Sequence, residues 1–130
     1  MAKVIGLGGI FFKSKDPATL AEWYKKYLNI PIEPWGGAAF YLDRMTPENS
    51  AGYSVWTPMP EDTDYIQPSQ NRFMFNLVVD DLDGALDQVA AGGAEIIAET
   101  EESEFGRFGW FIDPEGNKVE LWQTQPLDQT

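Results

Sequence analysis

The sequence predicts an α+β fold in which one βαβββ module is written twice. Three observations carry that reading: the order of apolar runs repeats, matching motifs recur at an offset of 65 to 66 residues, and a polar break separates the copies. The expected division is a first module over 1–58, a linker over 59–71 and a second module over 72–130, all in one structural domain. Each module supplies one helix, and the chain as a whole about eight strands.

The first run, "VIGLGGIFFKS" (Val4–Ser14), is apolar and β-rich, and it ends at "KDP", where Pro17 suits the first turn of a helix. Residues 17–28, "PATLAEWYKKYL", set Leu20, Trp23, Tyr24, Tyr27 and Leu28 at helical spacing, a stripe expected to pack into the core. The short runs "IPIEPW", "AAFYLD" and "GYSVWTP" read as three strands between turn residues. "MPEDTDYIQPSQN" then has two prolines and no period, the mark of a linker.

Beyond it the order returns. "RFMFNLVVDD" is a strand and "DLDGALDQVAAGG" a helix that stops at glycine, with Asp80, Asp81 and Asp83 expected to cap its start. "AEIIAE", "GRFGWFID" and "NKVELWQ" supply three more strands, and the acidic "AETEESEF" reads as a solvated loop. Asp16 maps onto Asp81 at a separation of 65, and Trp56 onto Trp122 at 66.

Composition excludes several chemistries. With 130 residues, no cysteine and no histidine, the chain has no disulfide, no thiolate or imidazole metal ligand, and no serine–histidine or cysteine–histidine pair. The net charge of −12 argues against nucleic acid as partner and permits a cationic ligand. No stretch reaches the ~20 apolar residues of a membrane span, and the N-terminus lacks a secretory pattern, so a soluble cytoplasmic chain is expected. The glycines of "GLGGIFF" lack the spacing and following helix of a phosphate-binding loop.

The closing hairpin fixes a register. Asp113-Pro114-Glu115-Gly116 fits a type I turn followed by a left-handed glycine, which pairs Asp113 with Asn117. Counting back sets Trp110 opposite Glu120 and Phe108 opposite Trp122. Alternation puts Val119 and Leu121 toward a core and Glu120 on the other face, among aromatic rings. A solvated carboxylate is not usually furnished in this way, so exposure is the weaker reading.

These residues resemble the vicinal oxygen chelate superfamily, which includes glyoxalases, extradiol dioxygenases and bleomycin-binding resistance proteins. "GGIFFKSKDPATLAEWYKKYLNIPIE" is similar to its opening strand and helix, "FMFNLVVDDLDGALDQVAAGGAEI" to the start of its second module, and "GRFGWFIDPEGNKVELWQ" to its closing hairpin. The resemblance implies a partly open mixed β-barrel with helices outside, a ligand cavity inside and a homodimer. In its metal enzymes, ligands stand on the first and last strands of each module. Those positions fall here on Gly9, Ser54, Met74 and Glu120, of which only Glu120 is a strong donor, so neither a metal nor another cofactor is expected.

By alternation the cavity is expected to be lined by Leu7, Gly9 and Phe11, by Ser54 and Trp56, by Met74, Asn76 and Val78, and by Trp110, Glu120 and Trp122. Phe11, Trp56, Met74, Asn76, Trp110, Glu120 and Trp122 are the candidate ligand-binding residues, an aromatic pocket with few polar groups. Two functions follow. One is a metal-free protein that binds a small organic molecule, a cationic one where Glu120 supplies its partner. The other is a superfamily enzyme of lyase, isomerase or dioxygenase type, with Glu120 as general acid or base or as a metal ligand. Tyr41 or Tyr53 is conceivable there as a second titratable group.

Overall fold

A computed structural model describes residues 1–41 and 53–125. Along the chain the elements are β1 (Val4–Ser14), α1 (Pro17–Leu28), β2 (Ala38–Tyr41), β3 (Tyr53–Pro60), β4 (Phe73–Val79), α2 (Leu82–Ala91), β5 (Glu95–Ser103), β6 (Gly106–Ile112) and β7 (Lys118–Thr124). Among the described residues the strands form one seven-stranded mixed sheet in the order β2-β3-β1-β4-β7-β6-β5. The fold is α+β, an open curled sheet with two helices among the described residues. Leu42, Asp43 and Gly52, expected at strand ends, lie outside the described residues.

The two halves repeat one pattern. In the first, β3 runs parallel beside β1 with β2 antiparallel outside it. In the second, β7 runs parallel beside β4 with β6 antiparallel outside it. The halves meet where β1 and β4 pair antiparallel within the same chain. Asp16 and Asp81 are the equivalent N-caps, accepting from Thr19 N and Gly84 N.

The helices lie against the convex face. Leu82 and Ala85 of α2 are buried against Val79, Phe111, Val119 and Leu121, which places Val119 and Leu121 in the core as alternation requires. Gly109 sits beneath α2, where a Cβ would lie 3.0 Å from Leu86 Cδ1. Close contact between helix and sheet depends on that missing side chain.

Four local expectations are corrected. "IPIEPW" is not a strand: Pro31 and Pro34 supply no N–H for a ladder, and the chain turns at Trp35-Gly36, with Glu33 N donating to Gly37 O at 2.8 Å. "AETEESEF" is not a loop, because its residues through Ser103 belong to edge strand β5, where exposed carboxylates discourage pairing with another chain. The aromatic stripe of α1 is only partly core: Tyr24 packs on Trp56 at 5.0 Å, while Trp23 and Tyr27 are 50% and 59% exposed. Of the three aspartates before α2, only Asp81 caps it. Asp80 accepts from Lys3 N, and Asp83 pairs with Arg107 at 3.0 Å.

The Asp81 cap gives a stability prediction. Asp81→Ala leaves the Gly84 N–H without its acceptor and is expected to cost about 1 kcal/mol, read as a lower urea midpoint with an unchanged slope. Asp81→Asn is expected to retain most of that.

Candidate functional site

The β6–β7 hairpin sets the site. Asp113 N donates to Asn117 O at 2.9 Å, Gly116 takes φ +85°, and the register pairs Trp110 with Glu120 and Phe108 with Trp122. The Phe108 and Trp122 rings stack with centroids 5.9 Å apart and planes 4° apart. On the other side of β7, Asn76 of β4 pairs with Glu120.

Glu120 is only 3% exposed. Its Oε1 accepts from Asn76 Nδ2 at 2.6 Å, and its Oε2 accepts from Trp110 Nε1 at 2.8 Å and from the Tyr65 hydroxyl. An ionised carboxylate offers about four acceptor positions, so three donors leave one place at Oε1. Such donors offset the cost of burying the charge.

A cation also stands nearby. Lys118, buried on the same face of β7, donates from Nζ to Tyr65 O at 2.5 Å and lies 5.2 Å from the Tyr65 ring centroid. Burial pulls the Lys118 ammonium below the usual lysine range, and the Glu120 charge works against that shift. Burial first, and the Glu120 charge second, push the Tyr65 phenol well above its usual range.

Tyr65 comes from the stretch between the modules, which also buries Ile66 against Met74 and Trp110. Ser69 Oγ donates to Gly116 O at 2.7 Å and Asn71 Nδ2 to Asn117 Oδ1 at 2.7 Å, pinning this segment onto the hairpin. Half of the concave face is therefore filled. The other half holds a cavity of about 510 Å³.

Four of the candidate residues line that cavity: Phe11, Asn76, Glu120 and Trp122. Met74 and Trp110 lie behind the carboxylate in the packed cluster. Trp56 is on the opposite face, against Phe12 and Tyr24 at 5.4 and 5.0 Å. Tyr53 and Val55 take the cavity side of β3 in place of Ser54 and Trp56, and Ser54 Oγ donates to Leu7 O instead. The repeat explains the correction: at the offset of 65 that relates the caps, Glu120 corresponds to Val55, and a slip of one residue exchanges the faces.

On β1 the register shifts between Leu7 and Gly9, so Gly8 faces the cavity while Gly9, at φ +156°, lies against β3. A Cβ at Gly8 would fall 1.9 Å from Asn76 Oδ1, and one at Gly9 would fall 2.4 Å from Val55 O. The remaining walls include Tyr41, Phe105 and Phe108, with Glu33 and Trp35 from the turn before β2. The periodicity of the sequence marks neither Tyr65 nor Glu33. The apolar pair Tyr65-Ile66 inside a polar stretch was the available signal for the first.

The glyoxalase-like domain family matches residues 9–122, from the β1 irregularity to the cavity tryptophan. The chain belongs to that family, in the vicinal oxygen chelate superfamily. Comparison with curated proteins gave no match. Solved structures share the fold of this glyoxalase-like chain. Methylmalonyl-CoA epimerase from Mycobacterium tuberculosis is 18% identical with TM-score 0.61, over 95% of this chain and 90% of that one. A variant of the Streptomyces coelicolor methylmalonyl-CoA epimerase, in complex with 2-nitronate-propionyl-CoA, is 13% identical with TM-score 0.68, over 98% and 100%. NAD-dependent benzaldehyde dehydrogenase from Legionella pneumophila is 20% identical with TM-score 0.59, over 90% and 98%.

Metal enzymes of the superfamily need a nearly complete donor set, and the described residues of this cavity do not supply one. Among the described residues no three His, Cys, Asp or Glu side chains gather, and Glu120 shares its end of the cavity with an amide and aromatic rings. The chemistry of the site is that of a carboxylate held by neutral donors.

Glu120→Ala strands the donors of Asn76, Trp110 and Tyr65 and is expected to cost about 3 to 5 kcal/mol in chemical denaturation. Tyr65→Phe removes one charge-assisted bond, for about 1.5 to 3 kcal/mol. Because folding raises the Tyr65 pKa, its contribution is complete below the ordinary phenol value of about 10 and is lost as pH rises through and above it. The stability gap between wild type and Tyr65→Phe is therefore expected to narrow above pH ~10.

Proposed function

We propose that this glyoxalase-like chain binds a small organic cation in its aromatic cavity, with Glu120 receiving the charge and no metal taking part. The observation that carries the reading is the lining: among the described residues its charged groups are the carboxylates Glu33 and Glu120, with no lysine or arginine. A cation there meets ring faces worth about 0.5 to 2 kcal/mol each and a carboxylate with one acceptor position open. The phosphates and carboxylate of an acyl-CoA such as methylmalonyl-CoA would meet charge of their own sign.

A second reading, a metal-free proton-transfer enzyme, is supported by the contact between the Tyr65 hydroxyl and Glu120 and by the epimerases among the fold neighbours. In that reading Glu120 accepts the proton of a carbon acid through Oε1, because Oε2 is occupied by two donors. Deuterium wash-in at the α-carbon of an acyl thioester, lost in Glu120→Gln, separates it from binding alone.

The binding reading predicts that benzylammonium quenches or shifts tryptophan fluorescence and binds more tightly than benzyl alcohol by calorimetry. Glu120→Gln is expected to weaken the ammonium by about 1 to 3 kcal/mol, and Trp122→Ala to weaken both probes. Equal affinity for the two probes in the wild type would contradict it.

A further inference from the structure

The cavity has a second charged end. Glu33 reaches it from the turn before β2, which is closed by Glu33 N to Gly37 O at 2.8 Å and Gly36 N to Glu33 O at 2.9 Å. Gly36 takes φ +101°, a left-handed conformation that glycine adopts without strain. Trp35 packs down onto Gly37, where a Cβ would lie 2.4 Å from Trp35 Cζ3. The turn thus brings one carboxylate and one indole, both partly open to solvent, to the rim of the cavity.

Glu33 and Glu120 stand on different walls. β2 and β7 are separated in the sheet by β3, β1 and β4, yet residues of both line the same cavity. Curling of the sheet accounts for this, since Tyr53 of β3 meets Trp122 of β7 edge-on at 5.0 Å. The same cavity is lined by aromatic and aliphatic side chains such as Tyr53, Val55 and Phe11. A monobasic ligand leaves one of the two carboxylate charges uncompensated. A molecule with a charge at each end can compensate both, and its middle would replace water against the apolar walls.

We infer that the ligand carries two cationic groups joined by an aromatic or apolar body, one received at Glu120 and the other at Glu33. The inference rests on the cation-binding reading above and adds to it the class of ligand, a dibasic amine or bis-guanidinium compound. Glu33 is a specificity residue in this account, separating dibasic from monobasic molecules.

The test is calorimetry with matched probes of two lengths: benzylamine against 1,4-bis(aminomethyl)benzene, and 4-(aminomethyl)biphenyl against 4,4′-bis(aminomethyl)biphenyl. In the wild type the diamine of at least one pair is expected to bind about tenfold more tightly than its monoamine. Glu33→Gln, a change on an exposed turn, is expected to weaken that diamine about tenfold more than the monoamine. Glu115→Gln, on the exposed β6–β7 turn, controls for net charge and is expected to change neither.

Monoamine binding with no diamine advantage at either length overturns this inference and leaves the cation-binding reading standing. A diamine advantage that survives Glu33→Gln, or that falls equally in Glu115→Gln, also overturns it. Failure of every amine to bind overturns both readings.

Discussion

The buried carboxylate of Glu120 is the constraint around which the second half of the molecule is arranged. A charge at 3% exposure is tolerable only if hydrogen bonds replace its water, and three elements each send one donor: Asn76 from β4, Trp110 from β6 and Tyr65 from the segment between the modules. The first two follow from strand register. The third requires a long segment to be folded back and fixed, which Lys118, Ser69 and Asn71 do through their own hydrogen bonds. The packing of Ile66 against Met74 and Trp110 follows from that placement.

The same arrangement divides the concave face. One half is closed by the intermodule segment, and the other stays open between aromatic walls. Glu120 sits at the division and lines the cavity, with Oε2 committed to Trp110 and Tyr65 and Oε1 accepting from Asn76 alone. Gly8 completes the geometry, because any side chain there would displace the amide that orients Oε1. An anchored carboxylate of this kind is preorganised to meet a cation and loses little freedom in doing so.

Legibility in the sequence followed the range of the interactions. Asp113 to Gly116 is local turn chemistry, so the hairpin register, and with it the inward side of Glu120, could be counted out residue by residue. The caps Asp16 and Asp81 were equally local, and their spacing revealed the duplicated module. Trp56 was misplaced because aligning it with Trp122 adds one residue to the true offset, and a strand turns over with each residue. Tyr65 and Glu120 are 55 residues apart, and nothing periodic marks an aperiodic segment as the source of a donor. Glu33 lay in a run whose prolines stop a ladder, so the reading that made it a strand hid its place in a turn.

The central claim, that Glu120 turns an aromatic cavity into a receptor for cations, is tested most directly by a crystal structure of the protein with benzylammonium. The account predicts the ammonium nitrogen at about 3 Å from Glu120 Oε1, and the benzyl ring against Trp122 and Phe108. An ammonium pointing to solvent with the ring alone in the cavity, or a probe bound elsewhere on the molecule, would contradict it.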